Sequence, residues 1–160
     1  MPTLNLTLQK QSALKLCWAA CTSAVANYYI NGSVYTQCIL ANAMLNRTNC
    51  CINLNDCDEP LNVRLSLNHT GNLDIIETSL LSMARIRNEI DNQRPIVVGV
   101  RAPHSRHAIL ITGYDNADRV FIQDPWPMNN PGWMPWATLN TGYLANGIVD
   151  ETFITKRGTR

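Results

Sequence analysis

Residues 11–29 read QSALKLCWAACTSAVANYY, and from Cys17 onward the small and apolar residues Cys17, Ala20, Cys21, Ala24, Val25 and Tyr28 recur at helical spacing. That pattern predicts a helix over 17–29 with one packed face. Asn31-Gly32 supplies the stop, because asparagine tolerates the left-handed conformation of a helix C-cap. The helix therefore begins at a cysteine. First-turn N–H groups lack intrahelical acceptors and the helix dipole favours negative charge there, so a thiolate at Cys17 is stabilised by its place in the chain. Among the six cysteines, only Cys17 combines a helix start with small residues following it, Ala19 and Ala20. The competing reading is a small core hydrophobe, the commonest fate of a free cysteine.

Outward from this helix, the first half stays helical. A second helix is expected over Thr36–Leu45, burying Cys38, Ile39, Ala41 and Leu45. The Asn- and Cys-rich stretch 46–59 reads as a loop, and a short helix follows around 61–67. Thr78 or Ser79 starts another, running to about Asn92 with Leu80, Met83, Ala84, Ile86 and Ile90 inward, and Arg94-Pro95 ends it. Beyond Pro95 the period changes. Ile96–Val100 is a β-branched run; 107–114 (HAILITGY) and 119–123 (RVFIQ) flank the turn signal Asp115-Asn116-Ala117-Asp118; and 147–154 supplies another strand. Helices first and antiparallel strands second imply a single α+β domain over 1–160, with a helical lobe over about 9–93 and a β lobe over about 95–155. If the hairpin closes with Tyr114 opposite Arg119, Ile109 faces Asp124 and His107 faces Trp126. His107 and Asp124 then share a face as diagonal neighbours, within reach of a hydrogen bond. A slip of one residue would put them on opposite faces.

Composition excludes several function classes. A chain of 160 residues with 46% hydrophobic residues can bury a real core without metals or disulfides. Its 13 basic and 12 acidic residues leave a net charge of +1, spread along the chain. That offers neither the basic stripe of a nucleic-acid groove nor a polybasic membrane patch. No apolar run is long enough to span a bilayer, and Met1–Leu8 lacks the basic start and apolar stretch of a signal peptide. The cysteines Cys17, Cys21, Cys38, Cys50, Cys51 and Cys57 fit either three disulfides, in any of about fifteen pairings, or reduced thiols. Cys50, Cys51 and Cys57 with His69 lack the paired knuckles of structural zinc, so no metal is expected. Asp58-Glu59, Asp115 and Asp118 read as capping and turn residues. Trp126, Trp133 and Trp136 either cover the end of the β lobe or wall a cleft for an extended peptide.

A thiolate at Cys17, a histidine that exchanges a proton with it and a carboxylate that orients the histidine would form an activated nucleophile. The order of these elements resembles that of papain-like cysteine proteases. Gln11 stands six residues before Cys17-Trp18-Ala19, where that family has its oxyanion donor, although Gln9 also precedes the nucleophile. Arg106-His107-Ala108-Ile109 matches the histidine that begins a β-lobe strand, and Gln123-Asp124-Pro125 matches the third member. Trp126, two residues beyond, stands where a tryptophan shields the histidine. The motifs are most similar to the small bacterial AvrRpt2-like effector branch (peptidase family C70). They share Cys17-Trp18-Ala19-Ala20-Cys21, Tyr28-Tyr29, Tyr35-Thr36-Gln37-Cys38, Asn49-Cys50-Cys51, Arg94-Pro95 and the His…Ile-Thr-Gly-Tyr…Asp-Pro hairpin. Two departures stand out. Arg106 replaces the usual glycine before the histidine, and the interval from Cys17 to His107 is short, so the cleft loops must be reduced.

The resemblance implies a papain-like fold and a thiol endopeptidase acting on a protein substrate. In it Cys17, His107 and Asp124 form the triad, Gln11 serves the oxyanion, and Trp18 and Trp126 line the cleft or shield the triad, with no cofactor. It also implies an effector or interbacterial toxin, delivered by a specialised secretion system and matched by an immunity partner. His104, in a loop after Pro103, and His69, in a polar context, are the rival histidines. Two other readings use the same residues. One is a Cys-His-Asp acyltransferase or leader-peptide-processing peptidase. The other is a non-catalytic, disulfide-stapled module with Cys17 paired to Cys21 or Cys38.

Overall fold

A computed structural model describes residues 2–144 and 146–158. The helix read from Cys17 is α1, Cys17–Ile30, and Asn31 caps it in the left-handed region (φ 51°). It is buried on more sides than its sequence face suggested: Trp18, Ala19, Thr22, Ser23 and Ala26 are buried as well. The reason is its central position, with the sheet on one flank and two short helices on another. Those are α2 (Gln37–Leu45) and α3 (Val63–His69), and Thr22 bonds Ser66 of α3 at 2.6 Å.

In α2 the inward residues are Gln37, Leu40 and Ala41, whereas Ile39 is exposed. Two constraints set that rotation. Cys38 is tied to Cys51 in a disulfide, and the Gln37 side chain donates to the Lys10 carbonyl and accepts from the Ser12 N–H. The 46–59 stretch is a loop with one 3-10 turn, Leu54–Cys57, clipped by a second disulfide between Cys50 and Cys57. Cys17 and Cys21 are left as free thiols. A module stapled through Cys17 is therefore not the molecule seen.

The helix expected from Thr78 or Ser79 begins later, as α4 (Met83–Asp91), because Ser82 is its N-cap and accepts the Arg85 N–H. Just before it the chain forms a strand that the pattern did not announce, β1 (Leu73–Glu77), so the first half is not purely helical. The remaining strands are β2 (Ile96–Ala102), β3 (Ser105–Tyr114), β4 (Arg119–Gln123), β5 (Gly132–Pro135) and β6 (Ile148–Thr155), with α5 (Trp136–Thr141) between the last two. They make one antiparallel sheet in the order β1-β6-β2-β3-β4-β5. The fold is α+β. Residues 96–100 of β2 and 108–111 of β3 are buried, as their unbroken apolar runs require, whereas Arg101 near the end of β2 is exposed.

The hairpin register decides where the site falls. Tyr114 pairs with Val120 rather than Arg119, one residue away from the expected closure. A bulge between Ile111 and Gly113 absorbs the difference, so that Ile111 faces Ile122 and Leu110 faces Gln123, the expected pairing. Gly113 is where the N-terminal arm crosses β3. A Cβ there would lie 2.7 Å from Thr3 Cγ2 and 2.9 Å from the Pro2 carbonyl, so only glycine fits. Without the bulge, His107 and Asp124 would point to opposite faces.

Candidate active site

α1 reaches β3 because its residues at the contact are small. The Cys21 thiol, buried one turn beyond Cys17, approaches the Ala108 carbonyl at 3.4 Å. That contact sets the N-terminal end of α1 beside His107. The residues flanking Cys17 are pinned to the disulfide-clipped loop: Lys15 N–H donates to Asp58 at 2.7 Å, and Trp18 Nε1–H donates to the Glu59 carbonyl at 3.0 Å.

His107 Nε2 and Asp124 Oδ1 are 2.6 Å apart. Asp124, 1% exposed, follows directly on β4. Its Oδ1 also accepts the Trp126 N–H (2.8 Å), and its Oδ2 accepts from Asn129 Nδ2 (2.9 Å) and the Tyr143 hydroxyl (2.7 Å). Burial works against charge on His107, but its hydrogen bonds to Asp124 and then to Cys17 outweigh it and push its pKa up to about 9. Burial also opposes charge on Asp124, and His107, Tyr143 and the Trp126 N–H overcome that to hold it down at about 2. With Nε2 engaged by Asp124, Nδ1 is the ring nitrogen left for Cys17. A charged imidazolium between a thiol and a carboxylate can donate a proton on one side while it is oriented on the other.

The expected site residues are brought together to different degrees. Cys17, His107, Trp18 and Trp126 line one cleft of about 800 Å³, with Asp124 directly behind His107. Gln11 is buried beside this group, and its backbone N–H donates to the Pro125 carbonyl at 2.8 Å. Its Nε2, however, is engaged by the carbonyls of Ala13 (3.0 Å) and Leu14 (2.8 Å), and Oε1 has no partner. In this conformation Gln11 offers the cleft no free donor. His104 sits on the exposed β2–β3 turn at the cleft rim, and His69 is exposed at the end of α3. Arg106, the cation beside the histidine, is tied to Asp150 and Glu151. Of Trp126, Trp133 and Trp136, Trp126 alone lines the cleft; Trp133 packs edge-on against Phe121, and Trp136 donates to the Leu81 carbonyl. Among the described residues no cluster of three or more His, Cys, Asp or Glu could hold a metal ion, and no helix is long and apolar enough to cross a membrane.

Residues 3–148 match the model of the Peptidase_C39-like family. The chain belongs to that family. Its structural neighbours agree with the C39-like assignment. The peptidase domain of Streptococcus ComA, a bi-functional ABC transporter involved in a quorum-sensing pathway, aligns with a TM-score of 0.61 at 16% identity, covering 92% of this chain and 96% of that one. A C39-like peptidase from Bacillus anthracis gives 0.60 at 12% identity, over 99% and 100%. A double-glycine motif protease from an AMS/PCAT transporter, solved with its leader peptide, gives 0.57 at 15% identity, over 98% and 94%. No curated protein sequence matches. The C39-like chain is thus a papain-like cysteine peptidase, as the motifs implied, and the match supports that level without extending to the AvrRpt2-like branch. Sequence reasoning missed Asn129 and Tyr143. The former lay unremarked in the Trp/Pro loop, and the latter carries no local signal at all, being joined to Asp124 only by the fold.

Proposed function

We propose that the protein is an endopeptidase that cuts an extended peptide through Cys17, His107 and Asp124. The observation that carries this reading is the His107–Asp124 pair at 2.6 Å, set in the wall of the cleft that Cys17 also lines. Cys17, as thiolate, attacks the scissile carbonyl and forms a C–S bond. The oxyanion is met by the Cys17 backbone N–H, one of the first-turn donors of α1 without an intrahelical acceptor. Gln11 Nε2 becomes the second donor once it leaves one of its two carbonyls. His107 then gives its proton to the leaving amine as the C–N bond breaks. Neutral His107 next takes a proton from water, whose oxygen attacks the thioester and releases the acid and the thiolate. Asp124 stays ionised and orients the ring throughout.

The substrate favoured is a leader-like peptide segment, by analogy with the leader-bound double-glycine protease. The test is to incubate wild type and Cys17→Ala with precursor peptides in which a leader with a Gly-Gly motif is followed by a further segment, with and without an amine donor. New N-termini from the wild type alone support the reading. Amide adducts to the donor would move it to acyl transfer, and identical products from both proteins would end it.

A second reading has its own observation. Disulfides Cys38–Cys51 and Cys50–Cys57 persist in oxidising compartments. That favours a peptidase exported from its producer, as an effector or interbacterial toxin with an immunity partner would be. Equal growth of sensitive cells expressing wild type and Cys17→Ala would count against it.

A further inference from the structure

Asp124 accepts four hydrogen bonds, and only one of them comes from His107. The two on Oδ2 come from different segments, one five residues and the other 19 residues further along the chain. Asn129 lies in the turn after β4. Tyr143 lies between α5 and β6, where its backbone N–H bonds the Gly147 carbonyl at 2.8 Å. Position 147 must be glycine, since a Cβ there would sit 1.9 Å from the Tyr143 carbonyl oxygen. Lys10 braces the same corner from the N-terminal arm, its ammonium donating to the backbone carbonyls of Asp124 and Asn129. These contacts aim a phenol and an amide at one buried oxygen.

Building on the peptidase reading, we propose that Tyr143 and Asn129 are positioning residues: they saturate Asp124 Oδ2, turn Oδ1 toward His107, and keep the carboxylate ionised so that the proton the two share stays on the ring. A carboxylate that is 1% exposed has no water to do this. If its Oδ2 partners are removed, the buried anion is left half-satisfied and gains proton affinity, and the pair drifts toward a neutral histidine beside a carboxylic acid. A neutral ring has no proton for the leaving amine. Tyr143 suits the task because burial and then the Asp124 bond push its hydroxyl well above the usual phenol range, so it remains a donor. The other titratable groups facing Asp124 are His107 on β3, Cys21 on α1 and Lys10 on the arm, with Cys17 on the far side of His107. Tyr143 also lines the substrate cleft, with Leu144 beside it, so a bound peptide touches the ring that holds the carboxylate.

The test follows the ring nitrogens of His107 by NMR in protein labelled with 15N-histidine, in which only three histidines contribute signals. In wild type, protonation of Asp124 produces no step above about pH 4. Tyr143→Phe, nearly isosteric, raises that step by about one pH unit. Tyr143→Phe with Asn129→Leu removes both Oδ2 donors and raises it by roughly two or more, into the range above pH 4. On a cleaved peptide, kcat falls about tenfold in the single variant while KM stays within about twofold. A purely structural role would lower the melting temperature or raise KM and leave the step in place, and that result overturns the proposal. If the double variant fails to fold, Tyr143→Phe read between about pH 2.5 and 4 decides. The titration needs no substrate, so the two readings can fail separately. A shifted step in a protein that cleaves nothing sinks the peptidase reading alone, and an unshifted step in an active enzyme sinks this one alone.

Discussion

Asp124→Asn separates the charge of the third residue from its geometry. An asparagine in the same rotamer keeps Oδ1 as acceptor for His107 Nε2–H and the Trp126 N–H. Its Nδ2 then replaces Oδ2, where Asn129 turns its amide and Tyr143 rotates its hydroxyl to accept instead of donate. Orientation survives, and the negative charge is lost. His107 rises from 6.5 to about 9 against burial, mainly through Asp124, with Cys17 supplying the remainder. A fall of roughly one to two units is therefore expected, about 1.4–2.7 kcal/mol of imidazolium stabilisation. At pH 8 the charged fraction drops about two- to tenfold, and at pH 6 hardly at all. The assay is peptide hydrolysis from pH 5 to 10. Wild type should lose activity as pH rises through about 9, and Asp124→Asn should lose it through about 7–8 while remaining within a few fold of wild type at pH 6. Asp124→Ala removes the acceptor itself, leaves Tyr143, Asn129 and the Trp126 N–H without their partner, and should cost about 10³-fold or more at every pH. An Asp124→Asn defect independent of pH, or as deep as that of Asp124→Ala at pH 6, would refute the reasoning.

Limiting iodoacetamide near pH 6 on native protein should label Cys17 selectively, because Cys21 is buried and the other four thiols are in disulfides; equal labelling of several cysteines contradicts the pairing. A thiol count on denatured, unreduced protein should give two. Folding stability should have a pH window set by the same pair. His107 is raised, so its contribution is complete below about 6.5 and lost as pH rises through about 9; Asp124 is lowered, so its contribution is present above about 3.8 and lost as pH falls through about 2. Urea unfolding at pH 3, 5 and 10 checks this, and equal stability at 5 and 10 would contradict it. Reducing both disulfides should lower the melting temperature by about 10–30 °C, with each clip contributing about 2–4 kcal/mol, and an unchanged melting curve would show that the 46–59 loop holds without them.

Much of the architecture was legible where one physical signal dominated. The helical repeat of small residues fixed the start of α1 at Cys17, and the β-branched runs fixed β2, β3 and β4. The His107–Asp124 pairing followed from alternation and register, although it needed a bulge at Thr112 that no local residue pattern announces. Edge elements were harder to read. β1 pairs only with β6, and its Leu-Asp-Ile-Ile-Glu lacks the clean alternation of a half-buried strand. β5 and α5 lay inside a Pro/Gly/Trp stretch that composition marks as loop. The rotation of α2 was set by a disulfide whose partner residue 51 could not be chosen among fifteen pairings. Side-chain commitments were less legible still. Spacing put Gln11 where an oxyanion donor belongs, but only coordinates show its amide turned onto Ala13 and Leu14.

The two halves of the site are held by different physics, which explains where the cysteines fall. His107 stands on β3 and Asp124 follows directly on β4, so backbone ladders place both residues, and the Asp124 side chain is held by bonds from Asn129 and Tyr143. Cys17 stands at the mouth of a helix, preceded by a loop, and its flanking contacts to Asp58 and Glu59 are single hydrogen bonds to another loop. Such bonds contribute about 0.5–1.5 kcal/mol each, too little to hold a nucleophile unless the acceptors are themselves fixed. The Cys50–Cys57 bridge closes the turn just before Asp58, and Cys38–Cys51 ties the same loop to α2, so the acceptors arrive already ordered. Four cysteines are spent on immobilising the ground against which the fifth is aimed. Cys21 supplies the last constraint, a buried thiol whose burial, first, and nearness to Cys17 push its pKa up, so it remains the neutral, small contact that lets α1 sit on β3.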